Sequence, residues 1–305
     1  PFESVLSVCQ DASRDIWAVT KNSLLTRHHD TNWSIMSQGT NWPGGRPTCV
    51  ASDADGAVWI GTVDRGLIQF KNGEFKNWRV ADGLVNENVH GLMVTPDGDV
   101  WLTFPGRIQR FHNGVFDTIT IPIGTRYFRA LAKDTAGNVW GGSSEGSLFR
   151  IRDGVATDET ERIQGGPASI RCLYATPDGA VWIGYGGFGI GRIKDGKYAR
   201  FTTREGLHNN FISQIVEDKF ERLWLAGNGG IFQLSMTELS RAADDIAAGR
   251  KARLRPALYG RAEGLPSLQP TYDTIPAATR SRDGRIWMSM GTGLAIIHTE
   301  NIDEN

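Results

Sequence analysis

Sulfur is scarce in this sequence: Cys9, Cys49 and Cys172 are its only cysteines, and no CxxC or HExxH spacing occurs. Three cysteines cannot build a disulfide framework, and without those spacings neither a cysteine-held zinc site nor a zinc-protease helix is encoded. No apolar run is long enough to span a bilayer, and no signal-peptide pattern follows Pro1. An excess of one charge is missing too, since 33 Lys and Arg face 34 Asp and Glu. No basic cluster recurs, which argues against nucleic acid or insertion into a membrane.

What is present is one phrase written seven times. It runs from Asp11 to Thr20, Asp53 to Thr62, Thr95 to Phe104, Asp134 to Ser143, Thr176 to Tyr185, Asp218 to Gly227 and Ser281 to Met290. Its tryptophans, Trp17, Trp59, Trp101, Trp140, Trp182, Trp224 and Trp287, are 42, 42, 39, 42, 42 and 63 residues apart. A period of this length belongs to propeller blades or helical solenoids. Composition decides for β. In the second repeat the apolar or alternating runs Thr48 to Ser52, Ala57 to Gly61, Leu67 to Phe70 and Glu74 to Val80 are strand-sized and too short for helices.

Turn dipeptides join these runs in pairs. Asp55-Gly56, Asp97-Gly98, Asp178-Gly179 and Asp283-Gly284 link first to second, whereas Asn72-Gly73, Asn113-Gly114, Asp153-Gly154 and Asp195-Gly196 link third to fourth. Tight hairpins with both central residues at positive φ favour these pairs, so each repeat is a four-stranded antiparallel meander. One such sheet cannot bury its two apolar faces alone, but seven arranged radially can. The predicted fold is therefore all-β: a single seven-bladed β-propeller, its blades near 5–46, 47–88, 89–128, 129–169, 170–211, 212–274 and 275–305. Each tryptophan becomes a wedge between neighbouring blades. Small residues are expected where the innermost strands crowd the axis, and Ser7, Cys49, Gly91, Ala130, Cys172 and Ala277 are small, with Gln214 as the exception. The cysteines accordingly read as buried hydrophobes.

The surplus of the sixth interval falls between that blade's third and fourth strands. Ser235-Met236-Thr237-Glu238 has capping-box spacing, with Leu239, Ala243 and Ile246 at helical intervals and Gly249 placed as a stop. A short helix over Met236 to Ala248 is predicted, on the face opposite the ligand mouth. At the ends, only Pro1 to Ser4 precede the first inner strand, and the tail from Glu300 to Asn305 has poor strand character. Blade seven is expected to be three-stranded, or completed weakly by that tail, and the start of the sequence suggests a piece cut from something longer.

The run Gly206-Leu207-His208-Asn209-Asn210-Phe211-Ile212, leading into Asp218 and Leu223-Trp224-Leu225, resembles the two-component regulator propeller repeat. The second repeat matches that pattern best, through Asp53, Gly56, Trp59, Ile60, Gly61, Thr62, Gly66 and Leu67, then Asp82-Gly83-Leu84 and Asn88. Glu263-Gly264-Leu265-Pro266, ahead of Asp283-Gly284-Arg285-Ile286-Trp287, is similar to the extended connection into the last blade of such propellers. Arg14 and Glu221 depart from the pattern at the hairpin glycine, as does Pro105-Gly106 at a later turn. The resemblance implies a non-enzymatic, ligand-binding sensor domain on the periplasmic or extracellular side of a bacterial inner membrane. It also implies the remainder of a longer signalling chain as partner, and a homodimer in the full-length protein. No cofactor or metal is expected.

Function in such a ring would sit at the mouth where the second-to-third turns and the blade-to-blade connections gather. Those connections carry Trp42, Asn86, Arg126, Tyr127, His208 and Tyr272, and a second-to-third turn carries Phe188. Where the inner strands leave the mouth stand His90, Arg129 and Arg171 on three consecutive blades. Arginine forks suit carboxylate or phosphate, and aromatic faces suit sugar rings, so a saccharide or an anionic nutrient is the expected small-molecule ligand. The competing reading of the arginines is structural, pairing with Asp64 or Asp273. For the asparagines, turn formation is favoured. An enzyme of the streptogramin lyase type is the alternative, and only His90 and His208 are placed for acid–base work. A protein-binding scaffold is the third.

Overall fold

The computed structural model describes residues 4–121, 127–163, 168–265, 267–272 and 274–301. Seven antiparallel sheets form a propeller ring, and within each the strands pair in sequence order. Blade two is representative, with strands Pro47–Ser52, Val58–Thr62, Leu67–Lys71 and Glu74–Trp78. Six blades have four strands, and blade seven has three among the described residues, ending at Gly293–Ile297.

The seven repeat tryptophans are all buried, and the contacts run from one blade to the next. Trp17 lies 5.2 Å from Phe70 of blade two, and Trp59 lies 5.3 Å from Phe111 of blade three. Crowding at the axis is met by matched small residues. A Cβ on Gly61 would stand 2.5 Å from Cys49 Sγ, and one on Gly184 would stand 2.3 Å from Cys172 Sγ, so each glycine leaves room for its neighbouring thiol. Burial pushes the Cys49 thiol up to about 12, as expected of a small hydrophobe.

The two kinds of turn differ more than the shared dipeptides suggest. In blades two to five the third-to-fourth turns have both central residues at positive φ, as at Asn72 (52°) and Gly73 (84°), which is the expected tight hairpin. In the first-to-second turns only one residue is left-handed, Gly56 at 85° in blade two, and these are three-residue loops. Their extra residue is braced by the first residue of the phrase: Asp53 accepts the Ala57 N–H at 2.8 Å.

The helix spans Met236–Ala247 and is capped by Ser235, whose Oγ accepts the Glu238 N–H at 3.5 Å. It starts beside the first-to-second turn of its own blade, where the Met236 N–H donates to the Glu221 carbonyl at 2.9 Å, and so lies on the face opposite the mouth. Leu239, Ala242 and Ala243 pack into a core with Trp182, Phe201 and Leu254. Buried Arg192 ties the helix to blade five through the Ser240 carbonyl at 3.1 Å and the Asp244 carboxylate.

Among the described residues, side chains and loops join the first and last blades, and no sheet shares strands from both ends of the chain. Ser7 Oγ donates to the Pro276 carbonyl at 2.6 Å, and Arg282 donates to the Ala12 carbonyl at 3.0 Å. On the other flank Arg222 pairs with Asp218 at 2.7 Å and donates to the Thr299 carbonyl at 2.6 Å, fastening the end of blade seven to blade six.

Candidate functional site at the propeller mouth

The mouth is built on a repeated irregularity. In blades one, two, four, five and six the first strand slips register near its start, and the extra residue is Leu6, Thr48, Arg129, Arg171 or Ser213. A bulge leaves one residue out of the pleat and re-aims its side chain. Three of these bulges thus turn Thr48, Arg129 and Arg171 away from the blade interiors. In blade three His90 occupies the equivalent place, its N–H donating to the Thr103 carbonyl at 2.8 Å.

The channel beneath is not open at this end, because the connection from blade six to blade seven crosses it. Ile275 reaches blade three, where its carbonyl accepts the Leu92 N–H at 2.9 Å. A Cβ on Gly91 would be 2.4 Å from Ile275 Cγ1, so Gly91 lacks a side chain because this loop takes its place. Thr274 Oγ1 donates to the Leu6 carbonyl at 2.6 Å. Gln214, the large residue among small ones, holds the same connection: its Nε2 donates to the carbonyls of Thr271 (3.0 Å) and Ser289 (2.7 Å). An axial cavity of 280 Å³ remains under the crossing loop.

Beside that loop lies a mouth pocket of 360 Å³, walled by Thr48, Asn88, His90, Tyr127, Arg129 and Thr274. Burial, and after it the Arg129 charge, hold His90 below the usual histidine value, so the ring is neutral near pH 7. On the next blade the Arg171 guanidinium lies 4.2 Å over the Tyr272 ring and 5.4 Å from the Phe211 ring. Its Nη1 donates to Ser213 Oγ at 3.3 Å.

The structure therefore brings His90, Tyr127 and Arg129 into one pocket and sets Arg171 against Tyr272 on the next blade, within reach of the Arg129 charge. It adds Thr48, Thr274 and Phe211 to them. Phe211 carried no signal beyond its place after an asparagine loop, and Thr274 none at all, since a loop crossing the axis leaves no periodic trace. Trp42 is elsewhere: it meets Phe75 of blade two's outermost strand edge-on at 5.3 Å. Phe188 faces outward too, with Arg200 of an outer strand at 5.6 Å. His208 is exposed, 6.1 Å from the Phe232 ring. Asn86 shapes its own turn by accepting the Asn88 N–H at 2.8 Å. Asp64 pairs with Arg46 at 3.4 Å rather than with either mouth arginine. Arg126 and Asp273 lie outside the described residues.

No protein-family model matches this sequence, and no curated protein does. Solved structures do match. Virginiamycin B lyase from Staphylococcus aureus superposes with a TM-score of 0.74 at 17% identity, over 96% of this chain and 94% of that one. The common ground is the seven-bladed propeller. The extracellular domain of a protein described as a hybrid two component system of B. thetaiotaomicron matches at 0.69 and 17% identity, over 97% of this chain. This chain spans only 39% of that one. The WD40 β-propeller domain of Doa1 matches at 0.72 and 13% identity, over 98% of this chain and 94% of that one.

Proposed function

We propose that this chain is the ligand-binding input domain of a bacterial signalling protein, facing the outside of the cell and taking a small molecule at the propeller mouth. The carrying observation is the mouth pocket: a 360 Å³ hollow beside a crossing loop, with hydroxyl, amide, imidazole, phenol and guanidinium groups converging on it. The likeness to an extracellular domain of a two component system supports the setting. Because the crossing loop belongs to the connection into blade seven, a ligand touching Thr274 and Tyr127 bridges that connection to blade four.

A lyase is the second reading, favoured by the nearly full-length match to virginiamycin B lyase. Against it, the pocket wall offers His90 as base with no carboxylate beside it among the described residues. Thermal-shift screening against saccharides, organic acids and cyclic peptides separates the readings. A ligand that raises the melting temperature, is recovered unchanged, and loses its effect in Tyr127→Ala and Arg129→Ala supports the input domain. Turnover that vanishes in His90→Ala assigns the lyase instead, and a ligand insensitive to all three variants removes the mouth from the account.

A further inference from the structure

We infer that Arg171 is an oxyanion post, holding the carboxylate or phosphate group of the molecule that occupies the mouth; this rests on the mouth being the ligand site. Arg171 is half-buried, yet among the described residues no carboxylate is paired with it. Buried cations are ordinarily paired, and what surrounds this one is aromatic and cationic. Its guanidinium carbon lies over the Tyr272 ring at 4.2 Å and the Phe211 ring at 5.4 Å. Stacking uses the π faces of the guanidinium and leaves the in-plane N–H groups free to donate, and Ser213 accepts from only one nitrogen, at 3.3 Å.

Two further features show that space has been kept for this group. A Cβ on Gly186 would stand 2.6 Å from Arg171 Nε and 3.2 Å from its Cζ, so a side chain there would push the guanidinium from its present place. The bulge at Arg171 then aims the side chain into the mouth instead of the blade seam. Arg129, on the neighbouring blade, is close enough for its charge to act on Arg171 and to disfavour a second cation there. A guanidinium fork beside two exposed rings, with no carboxylate paired to it among the described residues, suits a carboxylate or a phosphate.

The test is a titration of the folded chain, labelled with 15N in its arginine side chains, with sodium benzoate, inorganic phosphate and glucose at low ionic strength. The expected result is a saturable shift of the Arg171 Nε resonance with benzoate or phosphate and none with glucose. Benzoate alone points to an organic acid, and phosphate alone to a phosphorylated ligand. Arg171→Lys keeps the charge but loses the fork, and should weaken binding about tenfold while leaving the thermal unfolding of the free chain nearly unchanged. The inference is overturned if neither anion moves that resonance up to tens of millimolar, or if Arg171→Lys and Arg171→Gln bind the anion as the parent does. Should a neutral ligand from the thermal-shift screen still bind in a Tyr127-dependent way, the mouth remains the site and only its anionic character is lost.

Discussion

Trp59 donates its indole N–H to Asp53 Oδ2 at 2.9 Å, across the turn that precedes the tryptophan's own strand. The other Asp53 oxygen accepts the Ala57 N–H, so one carboxylate ties both the wedge and the turn. Trp17, Trp140 and Trp224 repeat the bond to Asp11, Asp134 and Asp218 at 2.7, 2.8 and 2.8 Å. Trp101 and Trp182 have Thr95 and Thr176 at that place, and their buried indole nitrogens have no hydrogen-bond partner among the described residues. Asp53→Ala should cost about 2 kcal/mol in urea unfolding, because a buried donor loses its acceptor. Thr176→Asp should add about 1 kcal/mol. It would make the turn read as in blade two, where Asp53 and Asp55 coexist. A loss of stability in Thr176→Asp would show that the hydroxyl's own bond to Asp178, at 2.5 Å, matters more.

Arg14 and Glu221 stand at hairpin positions that glycine fills elsewhere, with φ of 73° and 58°. A left-handed conformation costs an L-residue roughly 1 to 2 kcal/mol, of which glycine's greater freedom in the unfolded chain takes back a part. Arg14→Gly and Glu221→Gly should therefore each raise the unfolding free energy by about 0.5 to 1 kcal/mol. A denaturation midpoint that falls in both variants would refute the strain argument.

Arg222 is buried, pairs with the fully buried Asp218, and reaches the Thr299 carbonyl. Truncating it leaves Asp218 charged without its cation, which typically costs about 3 to 5 kcal/mol. Arg222→Ala should show a loss of that order and, by hydrogen exchange, faster opening of Gly293–Ile297 than of Leu67–Lys71. Equal acceleration in both strands would mean that Arg222 serves global stability without fastening blade seven.

In the unaltered chain the same exchange experiment tests the edge itself. Leu294 to Ile297 lack an outer partner strand among the described residues, and Ile296 is 44% exposed. Their protection should fall below that of Leu67–Lys71, which is paired on both sides. Equal protection would reveal a fourth strand at this edge.

His90 gives the mouth a pH dependence. Its folded value is lowered, mainly by burial and then by Arg129, so below about 6.5 the unfolded chain takes up a proton that the folded chain resists. Stability from this residue is present above that pH and is lost as pH falls through it. The melting temperature of the parent should drop more than that of His90→Gln between pH 7 and 5. Parallel curves would show that His90 titrates alike in both states.

The sequence by itself determined the ring. Seven tryptophans at a nearly constant interval, with Asn-Gly and Asp-Gly pairs between short apolar runs, fix the strand count, the order of pairing and the buried wedge, because hairpins and neighbouring contacts are local in the chain. The helix after Ser235 was legible for the same reason, its cap and its apolar spacing lying within one segment. Arg129, Arg171 and His90 could be aligned at the mouth from the repeat alone. What only the tertiary structure decided was which aligned residues converge: the bulges that turn Thr48 and Arg171 inward, the edge-on packing of Trp42 against Phe75, the place of Phe188 near Arg200, and above all the passage of Ile275 across the axis to Gly91. That contact joins residues 184 positions apart in a segment outside the repeat pattern, and a period carries no information about where such a segment goes.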